Sequence, residues 1–427
     1  MVSHLAAIIT AIATAATIEV SAQADYWQSF KTQVNPANIS IPSIAQTTSL
    51  EPSVECTYYN PDPAYISINA SEFPTVWQVA TTNGMASSSE FLDLYNLIDW
   101  NSAPNIQPRK KNPDGSLDFT GYPSSDPDCW WSSSLCTTPK HPGINEDIVA
   151  CNEPETWGLT YDDGPNCSHN VFYDYLREHD YKATMFYIGS NVIDWPYGAM
   201  RGMQDGHHIG AHTWSHEYTT TLTNQEVLAE FYYTQKAIKL ATGVTPRYWR
   251  PPYGDVDDRV RWIASQLGLT AVIWNLDTDD WAAGDTATMQ QIQNNYDAFI
   301  EMGTNGTFKD TGNIVLTHEI SNDSMTLAVN NLARISSAYK NIMNVATCMN
   351  ISNPYFEDFI YQPLANGNLG NQTNTPMPSG KTNSSTINRP SPKQAAVQKS
   401  SANAIEPHVF PFMVALMFIL AGFLLDC

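Results

Sequence analysis

The feature that most constrains the fold is a regular alternation of apolar and amphipathic segments between residues 151 and about 348. Short apolar segments such as 183–189, 208–213 and 270–277 predict strands, and the amphipathic segments between them predict helices. Repeated strand–helix units of this spacing imply a parallel sheet or barrel, in which functional side chains collect where the strands end. We therefore expect a central α/β domain over residues 151–350.

The first predicted strand ends on two adjacent acidic residues. In the stretch Trp157–Pro165, apolar and β-branched residues precede Asp162 and Asp163, and a glycine and a proline follow them as a turn signal. Neighbouring strand residues point to opposite faces, so the two carboxylates can take different roles, one holding a metal ion and the other accepting a proton. An Asx-type turn that only caps the strand is the structural alternative.

Both ends of the chain carry hydrophobic signals. Residues 1–24 have the apolar core and the small-residue cleavage region of a secretory signal peptide. Residues 404–427 contain a second apolar run without a basic cluster after it, and Ser401 just before them is our predicted attachment site. This order predicts a GPI-attachment signal whose tail is removed, which would place the protein at the plasma membrane and cell wall. A transmembrane anchor is the alternative interpretation.

Charge and cysteine content fit a secreted protein. The formal net charge of −22 argues against nucleic acid or an anionic membrane surface as a partner, and we expect a monomer. Of seven cysteines, Cys427 leaves with the tail, and an even set of six in an oxidising compartment suggests three disulfides. Cys151 and Cys348 enclose the strand–helix region and Cys129 lies close to Cys136, so we expect these two pairs.

Glycosylation signals agree with a eukaryotic secretory route. Eight asparagines begin the sequence N-x-S/T without proline at the middle position. These predicted N-glycosylation sites are Asn38, Asn69, Asn166, Asn305, Asn322, Asn350, Asn371 and Asn383.

Two further segments flank the central domain. Residues 25–150 are rich in proline, serine, asparagine and aromatic residues, and we expect a partly ordered N-terminal extension that packs on the core. Its Trp130-Trp131 pair could form an aromatic surface that binds a sugar, or it could pack beside Cys129. Packing is the favoured interpretation. Residues 351–403 have the composition of a disordered, glycosylated stalk, because they offer too little apolar surface to bury.

A histidine pair follows a later strand. His212 and His216 are four residues apart, which places two imidazoles on one face of a helical turn. With Asp163 as a third, oxygen ligand, they would hold a divalent metal and leave coordination sites open for water and substrate. Taken alone, such a histidine pair is more often a surface or core feature than a metal site.

The next strand ends in Arg250-Pro-Pro-Tyr253. The prolines stiffen this loop, so Arg250 can be held against Asp162 and keep that carboxylate ionised. A backbone N–H of the loop, that of Tyr253 in our interpretation, can face a developing oxyanion. A surface arginine beside a turn is the alternative.

Acidic and imidazole groups also end the last strands. His318 can act as a general acid if a carboxylate keeps it protonated. Asp277 is our first choice for that carboxylate, and Asp279 and Asp280 are alternatives that spacing cannot separate. Two apolar residues, Leu316 and Trp281, are predicted to line a pocket for a small apolar group, with core packing as the alternative.

The five stretches Thr160–Pro165, His212–His216, Arg250–Tyr253, Asp277–Trp281 and Leu316–His318 resemble, in the same order, the five motifs of family 4 carbohydrate esterases. These are polysaccharide deacetylases with a NodB-homology domain. The resemblance covers residues 150–350 and implies a distorted (β/α) barrel.

By this resemblance each motif residue has an expected role. Asp162 is the catalytic base and His318 the catalytic acid. Arg250 would tune the base and Asp277 the acid. The expected metal ligands are Asp163, His212 and His216.

The expected metal is Zn²⁺, with Co²⁺ possible for such a mixed nitrogen and oxygen site. Together with the terminal signals, the resemblance implies a GPI-anchored fungal cell-wall enzyme that removes N-acetyl groups from chitin. Another acetylated polysaccharide, such as acetylated xylan, is the first alternative substrate. A non-catalytic wall mannoprotein that covers chitin is the second alternative.

Overall fold

The computed structural model describes Cys56 and residues 68–357. The predicted signal peptide, the stalk beyond residue 357 and the GPI signal with Ser401 lie outside the described residues. The same holds for three predicted glycosylation sites, Asn38, Asn371 and Asn383. Within the described part of the chain, no helix is both long and apolar enough to cross a membrane.

A curled, eight-stranded parallel sheet forms the centre of the molecule. Its strands are β1 (Thr156–Gly164), β2 (Thr184–Tyr187), β3 (His208–Ala211), β4 (Tyr248–Trp249), β5 (Thr270–Ala271), β6 (Leu276–Asp277), β7 (Asn313–Leu316) and β8 (Asn341–Met343). The spatial order is β5-β4-β3-β2-β1-β7-β6, and β8 also pairs with β1. The expected distorted (β/α) barrel is confirmed, with β1 near its middle.

The segment predicted as a single strand over 270–277 forms two strands at opposite edges of the sheet. β5 pairs with β4, whereas β6 pairs with β7. Between them, Val272 makes an isolated parallel bridge with Ile148 of the N-terminal extension. The single-strand prediction was wrong because the apolar run is continuous in sequence, although the chain passes from one sheet edge to the other within it.

Helices connect the strands and precede the sheet. They are α1 (Ser89–Leu97), α2 (Trp131–Ser134), α3 (Asn170–Glu178), α4 (Gly189–Asp194), α5 (Pro196–Gln204), α6 (Asn224–Thr242), α7 (Asp258–Gln266), α8 (Met289–Thr304), α9 (Asn322–Ala338) and α10 (Val345–Cys348). Helix α6 begins with the predicted capping box of Thr223 and Glu226 and ends at Gly243, whose φ of 79° is left-handed. It packs against α4, α5 and α7.

The described part of the N-terminal extension packs on the barrel. Phe73, Phe91 and Leu94 belong to the same apolar cluster as the side chains of α6. Trp130 and Trp131 are 0% and 8% exposed, so packing is the correct interpretation of this pair. The indole N–H of Trp130 donates to Asp255, in the loop that follows β4.

Three disulfides cross-link the described residues. Cys151 is bonded to Cys348 and Cys129 to Cys136, which confirms both predicted pairs. A third bond joins Cys56 of the extension to Cys167, just after β1. The extension is therefore attached covalently to the loop that leaves the central strand.

Five of the predicted glycosylation sites lie among the described residues. Four of these asparagines are exposed, at positions Asn69, Asn305, Asn322 and Asn350, and Asn166 is half-buried. Attachment of glycans at these positions stays a prediction.

Candidate active site

Parallel pairing brings the sequence motifs together at one end of the barrel. Beyond the end of β7, His318 lies beside Asp162 in an isolated parallel bridge. The N–H of Asp162 donates to the carbonyl of Thr317, and the N–H of Glu319 donates to the carbonyl of Asp162. The ends of β1 and β7 thus fix the backbones of the predicted base and the predicted acid side by side.

Asp163, His212 and His216 form a group in which each residue offers one ligand atom to a common point. Asp163 Oδ1 lies 3.3 Å from Nε2 of His212 and 3.2 Å from Nε2 of His216. The three ligand atoms lie within 4.8 Å of one another. Burial alone would raise the pKa of Asp163, but the two histidines outweigh burial and hold it well below its usual value.

The donor set of this group fits a divalent metal ion. Asp163 Oδ1 is buried, and no described residue gives it a well-aligned hydrogen bond, which leaves its lone pairs for a cation. Nδ1 of His212 lies 2.8 Å from the carbonyl of Arg250, so this nitrogen is the donor and Nε2 is free to ligate. Nδ1 of His216 lies 3.2 Å from the Tyr253 hydroxyl. Two imidazole nitrogens and one carboxylate are typical of a catalytic zinc site.

Backbone conformation at this site is unusual. Asp163, His216 and Tyr253 have φ values of 73°, 57° and 58°, in the left-handed region that residues other than glycine rarely occupy. Such conformations persist only where the surroundings enforce them, and they concentrate at functional sites.

Arg250 contacts Asp162 as predicted. Its Nη1 atom donates to Asp162 Oδ1 and to Thr160 Oγ1, both at 2.8 Å, and neither Arg250 nor Asp162 is more than 1% exposed. The guanidinium also lies over the ring of Phe186, 4.4 Å from its centroid. Asp162 Oδ2 lies 3.9 Å from His212 Nε2, so the predicted base is next to the three-residue ligand group.

The carboxylate partner of His318 is Asp280. Asp280 Oδ1 accepts from His318 Nδ1 at 2.6 Å, and its Oδ2 atom accepts the backbone N–H of the same residue at 2.8 Å. Burial alone would lower the pKa of His318, but the charge and hydrogen bond of Asp280 outweigh burial and raise it to about 10. The choice of Asp277 as partner was wrong.

The turn after β6 explains this correction. Asp277 pairs with Leu316 in the sheet, and its carboxylate accepts the N–H of Asp279 at 2.9 Å. Asp279 has a φ of 58° and binds Asn295 through its side chain, so the chain reverses and delivers Asp280 to His318. Burial and the nearby charge of Asp279 raise the pKa of Asp277 to about 7.

The three predicted substrate-binding residues differ in exposure. Tyr253 is 47% exposed, and its ring stacks on Tyr218 with centroids 4.2 Å apart. Trp281 is 43% exposed and directly follows Asp280. Leu316 is only 4% exposed, at the end of β7. Contact of any of the three with a substrate stays a prediction.

A buried polar network beside the site was missed from the sequence. Glu319, which is 0% exposed, accepts hydrogen bonds from His169 Nδ1 at 2.8 Å and from the Tyr173 hydroxyl at 3.0 Å. The Tyr173 hydroxyl is in turn 2.9 Å from that of Tyr187. The only sequence signal was a glutamate next to the predicted acid. Its two partners come from α3 and from the residue just before that helix, and Tyr187 of β2 joins the network through Tyr173.

We expect Gly164→Ala to destabilise the protein, because a Cβ atom at this position would lie 1.9 Å from Glu319 Oε1. That carboxylate is held by its buried partners and cannot move away freely, so overpacking should cost about 1–3 kcal/mol of unfolding free energy. Thermal unfolding of the variant, compared with the unmodified protein, measures this effect. An unchanged melting temperature for Gly164→Ala would contradict the packing described here.

Comparisons with known proteins agree with these motifs. A profile of the polysaccharide deacetylase family matches residues 150–272. A chitin deacetylase of Amylomyces rouxii is 65% identical over 370 residues, which cover 86% of this chain and 87% of the relative. Chitin deacetylase 2 of Cryptococcus neoformans var. grubii is 49% identical over 321 residues, covering 74% and 69% of the two chains.

Among solved structures, the chitin deacetylase of Colletotrichum lindemuthianum is 25% identical with a TM-score of 0.46, over 50% of this chain and 96% of that one. The family assignment rests on the Amylomyces rouxii protein, because that match combines high sequence identity with coverage of most of both chains. This chain belongs to the polysaccharide deacetylases of carbohydrate esterase family 4.

Proposed function

We propose that this protein is a metal-dependent chitin deacetylase, which hydrolyses the acetamide groups of N-acetylglucosamine units and releases acetate and chitosan. The observation that supports this proposal most is the convergence of a buried base, a three-ligand group and a protonated imidazole at one end of the barrel. The similarity to chitin deacetylases supports the choice of substrate.

Asp163, His212 and His216 would hold the metal ion, and Zn²⁺ suits this donor set best, with Co²⁺ as a second choice. A divalent ion bound there supplies Lewis-acid polarisation of the acetamide carbonyl and makes a nearby water more acidic. The remaining chemistry belongs to the side chains around this group.

Asp162 would take the proton of the attacking water. Its Oδ1 atom is held by Arg250, while Oδ2 lies towards the ligand group, 3.9 Å from His212 Nε2. The Arg250 contact fixes the orientation of the carboxylate, which a general base requires.

His318 would give a proton to the departing amine. Because Nδ1 is bonded to Asp280, the proton that is transferred would come from Nε2. A pKa of about 10 keeps this imidazole protonated at neutral pH, so the acid is available when the C–N bond breaks. The backbone N–H of Tyr253, in a loop stiffened by two prolines, would stabilise the developing oxyanion.

We further propose that the enzyme acts at the cell surface, through the predicted signal peptide and GPI signal. Burial lowers the pKa of Arg250, and the nearby charges of Asp162 and Asp277 oppose this shift. Asp277 would therefore act on the base side of the site. Trp281 and Leu316 would contact the acetyl group or the neighbouring sugar.

A comparison of substrates tests the proposal. The full chain, expressed through a eukaryotic secretory pathway, would be assayed for acetate release from chitin oligosaccharides and from acetylated xylan. We expect release from the chitin oligosaccharides at a clearly higher kcat/KM. Release from xylan alone would replace chitin with an ester substrate, and release from neither, by a folded and metal-loaded protein, would favour a wall-binding role.

Asp280→Asn should narrow the pH range of activity. Without the carboxylate charge, the pKa of His318 falls, and the alkaline limb of the kcat profile should move to lower pH by roughly one to three units. The control is Asp277→Asn, which leaves the Asp280 contact intact and should shift this limb much less, whatever its effect on the rate. A larger shift for Asp277→Asn than for Asp280→Asn would contradict the pairing.

A further inference from the structure

Glu230 is a buried carboxylate behind the metal-ligand loop, the segment from His212 to His216. It lies in the first half of α6 and is 1% exposed. Its Oε2 atom accepts the backbone N–H groups of Trp214 and Ser215, both at 2.8 Å. Its Oε1 atom accepts the Ser215 hydroxyl at 2.7 Å and the N–H of Ala80 at 2.9 Å. In all four hydrogen bonds the Glu230 carboxylate is the acceptor.

The metal-ligand loop needs such external support. Thr213 and His216 have left-handed φ values of 59° and 57°, so the loop is held in a conformation that these residues rarely adopt unaided. The two N–H groups that Glu230 binds belong to the residues between the histidines. Their fixation therefore constrains the backbone from which the His212 and His216 side chains extend.

The N-terminal extension reaches the same loop through residues 73–80. The Trp214 indole N–H donates to the carbonyl of Thr75 at 3.2 Å, and the Phe73 ring stacks on that indole at 5.9 Å. The Ser190 hydroxyl donates to the carbonyl of Trp214 at 2.6 Å and accepts the N–H of Trp77 at 2.8 Å. These contacts and the Ala80 contact to Glu230 join the extension to the loop on several sides.

We propose that Glu230 is a positioning residue for the metal ligands, and that residues 73–80 of the extension complete the polar cradle that holds the metal-ligand loop. This inference rests on the proposed metal site. It gives the extension, which lies outside the strand–helix domain, a part in metal binding. The extension acts through Glu230 and Trp214 and not by touching the metal ligands themselves.

A carboxylate is required here because every group that contacts the Glu230 side chain is a hydrogen-bond donor. A glutamine at this position would place its amide N–H₂ group where one carboxylate oxygen now accepts two hydrogen bonds. The donors left without an acceptor would be either the N–H groups of Trp214 and Ser215, or the Ser215 hydroxyl and the Ala80 N–H. Buried donors without acceptors are costly, so the loop would move to satisfy them. The histidines would then be displaced from their common point, although no ligand has been removed.

The test measures metal affinity of the full, secreted chain with Glu230→Gln. Zinc affinity would be determined by competition with a chromogenic chelator, and the visible spectrum of the Co²⁺-loaded protein would report ligand geometry. We expect zinc affinity to fall about 10–100-fold, as for other residues that orient metal ligands, with an altered Co²⁺ spectrum. Acetate release should be low at limiting zinc and recover substantially at saturating zinc.

Glu357→Gln is the matched control. Glu357 is also a buried glutamate, and it accepts from Lys239 and Thr245, away from the metal-ligand loop. This variant should lose stability without losing zinc affinity. If Glu230→Gln does not fold, Ser215→Ala removes one of the four contacts and should weaken zinc binding several-fold.

The outcomes separate the two proposals. Unchanged zinc affinity and an unchanged Co²⁺ spectrum in folded Glu230→Gln, or in Ser215→Ala where the first variant does not fold, would overturn the positioning role. An equal loss of affinity in Glu357→Gln would overturn it as well, because the effect would then be general destabilisation. If the unmodified chain binds no zinc, the proposed metal site itself is wrong.

Discussion

Asp162→Asn is expected to reduce acetate release from chitin oligosaccharides by about 100- to 10,000-fold, which is the usual contribution of a general base. Asparagine keeps the size of the side chain and can still accept from Arg250, but it cannot take a proton from water at neutral pH. Asp162 is outside the three-residue ligand group, so zinc content should be retained. The measurement is kcat on a chitin oligosaccharide together with metal content of the same sample.

Asp310→Asn serves as the control for this substitution, because that side chain is 82% exposed and lies outside the site. It should behave like the unmodified protein. Retention of more than about a tenth of the rate by zinc-loaded Asp162→Asn would show that another group takes the proton.

His212→Ala and His216→Ala should each abolish activity at ordinary zinc concentrations. Each substitution would remove one of the two proposed nitrogen ligands and leave too few ligands for tight zinc binding. His212 should have the larger effect, because it is buried and its ring is oriented by the carbonyl of Arg250, whereas His216 is half-buried. Metal content after gel filtration and acetate release would be measured on the same preparations.

His179→Ala is the histidine control. His179 is exposed and follows α3, before β2 begins, so it lies towards the opposite end of the strands from the site. This variant should keep both zinc and activity. Full zinc content in His212→Ala would contradict the assignment of this histidine as a ligand.

Local chemistry explains why most of the candidate site could be predicted from the sequence. The carboxylate pair lies in the last residues of β1, and the histidine pair and the arginine before two prolines follow later strands. Parallel strands bring such ends together. The capping box of α6 and the disulfide from Cys151 to Cys348 could also be predicted, because residue type and spacing indicate them.

The remaining features depend on contacts that no local pattern contains. Choosing Asp280 over Asp277 required the left-handed turn at Asp279, since all three aspartates lie within one short segment. The division of 270–277 into two strands depends on pairing with strands at opposite edges of the sheet. Glu230 was missed because a glutamate within an amphipathic helix predicts an exposed side chain, whereas its partners come from the metal-ligand loop and the extension.

The most direct test of the proposed function is acetate release from a chitin oligosaccharide by the full secreted chain, measured before chelation, after chelation and after zinc is returned. The deacetylase proposal predicts release that disappears with the chelator and returns with stoichiometric zinc. Undiminished release from protein shown to be metal-free would contradict the role of Asp163, His212 and His216. Absence of release from folded, zinc-loaded protein would contradict the assignment of chitin as the substrate.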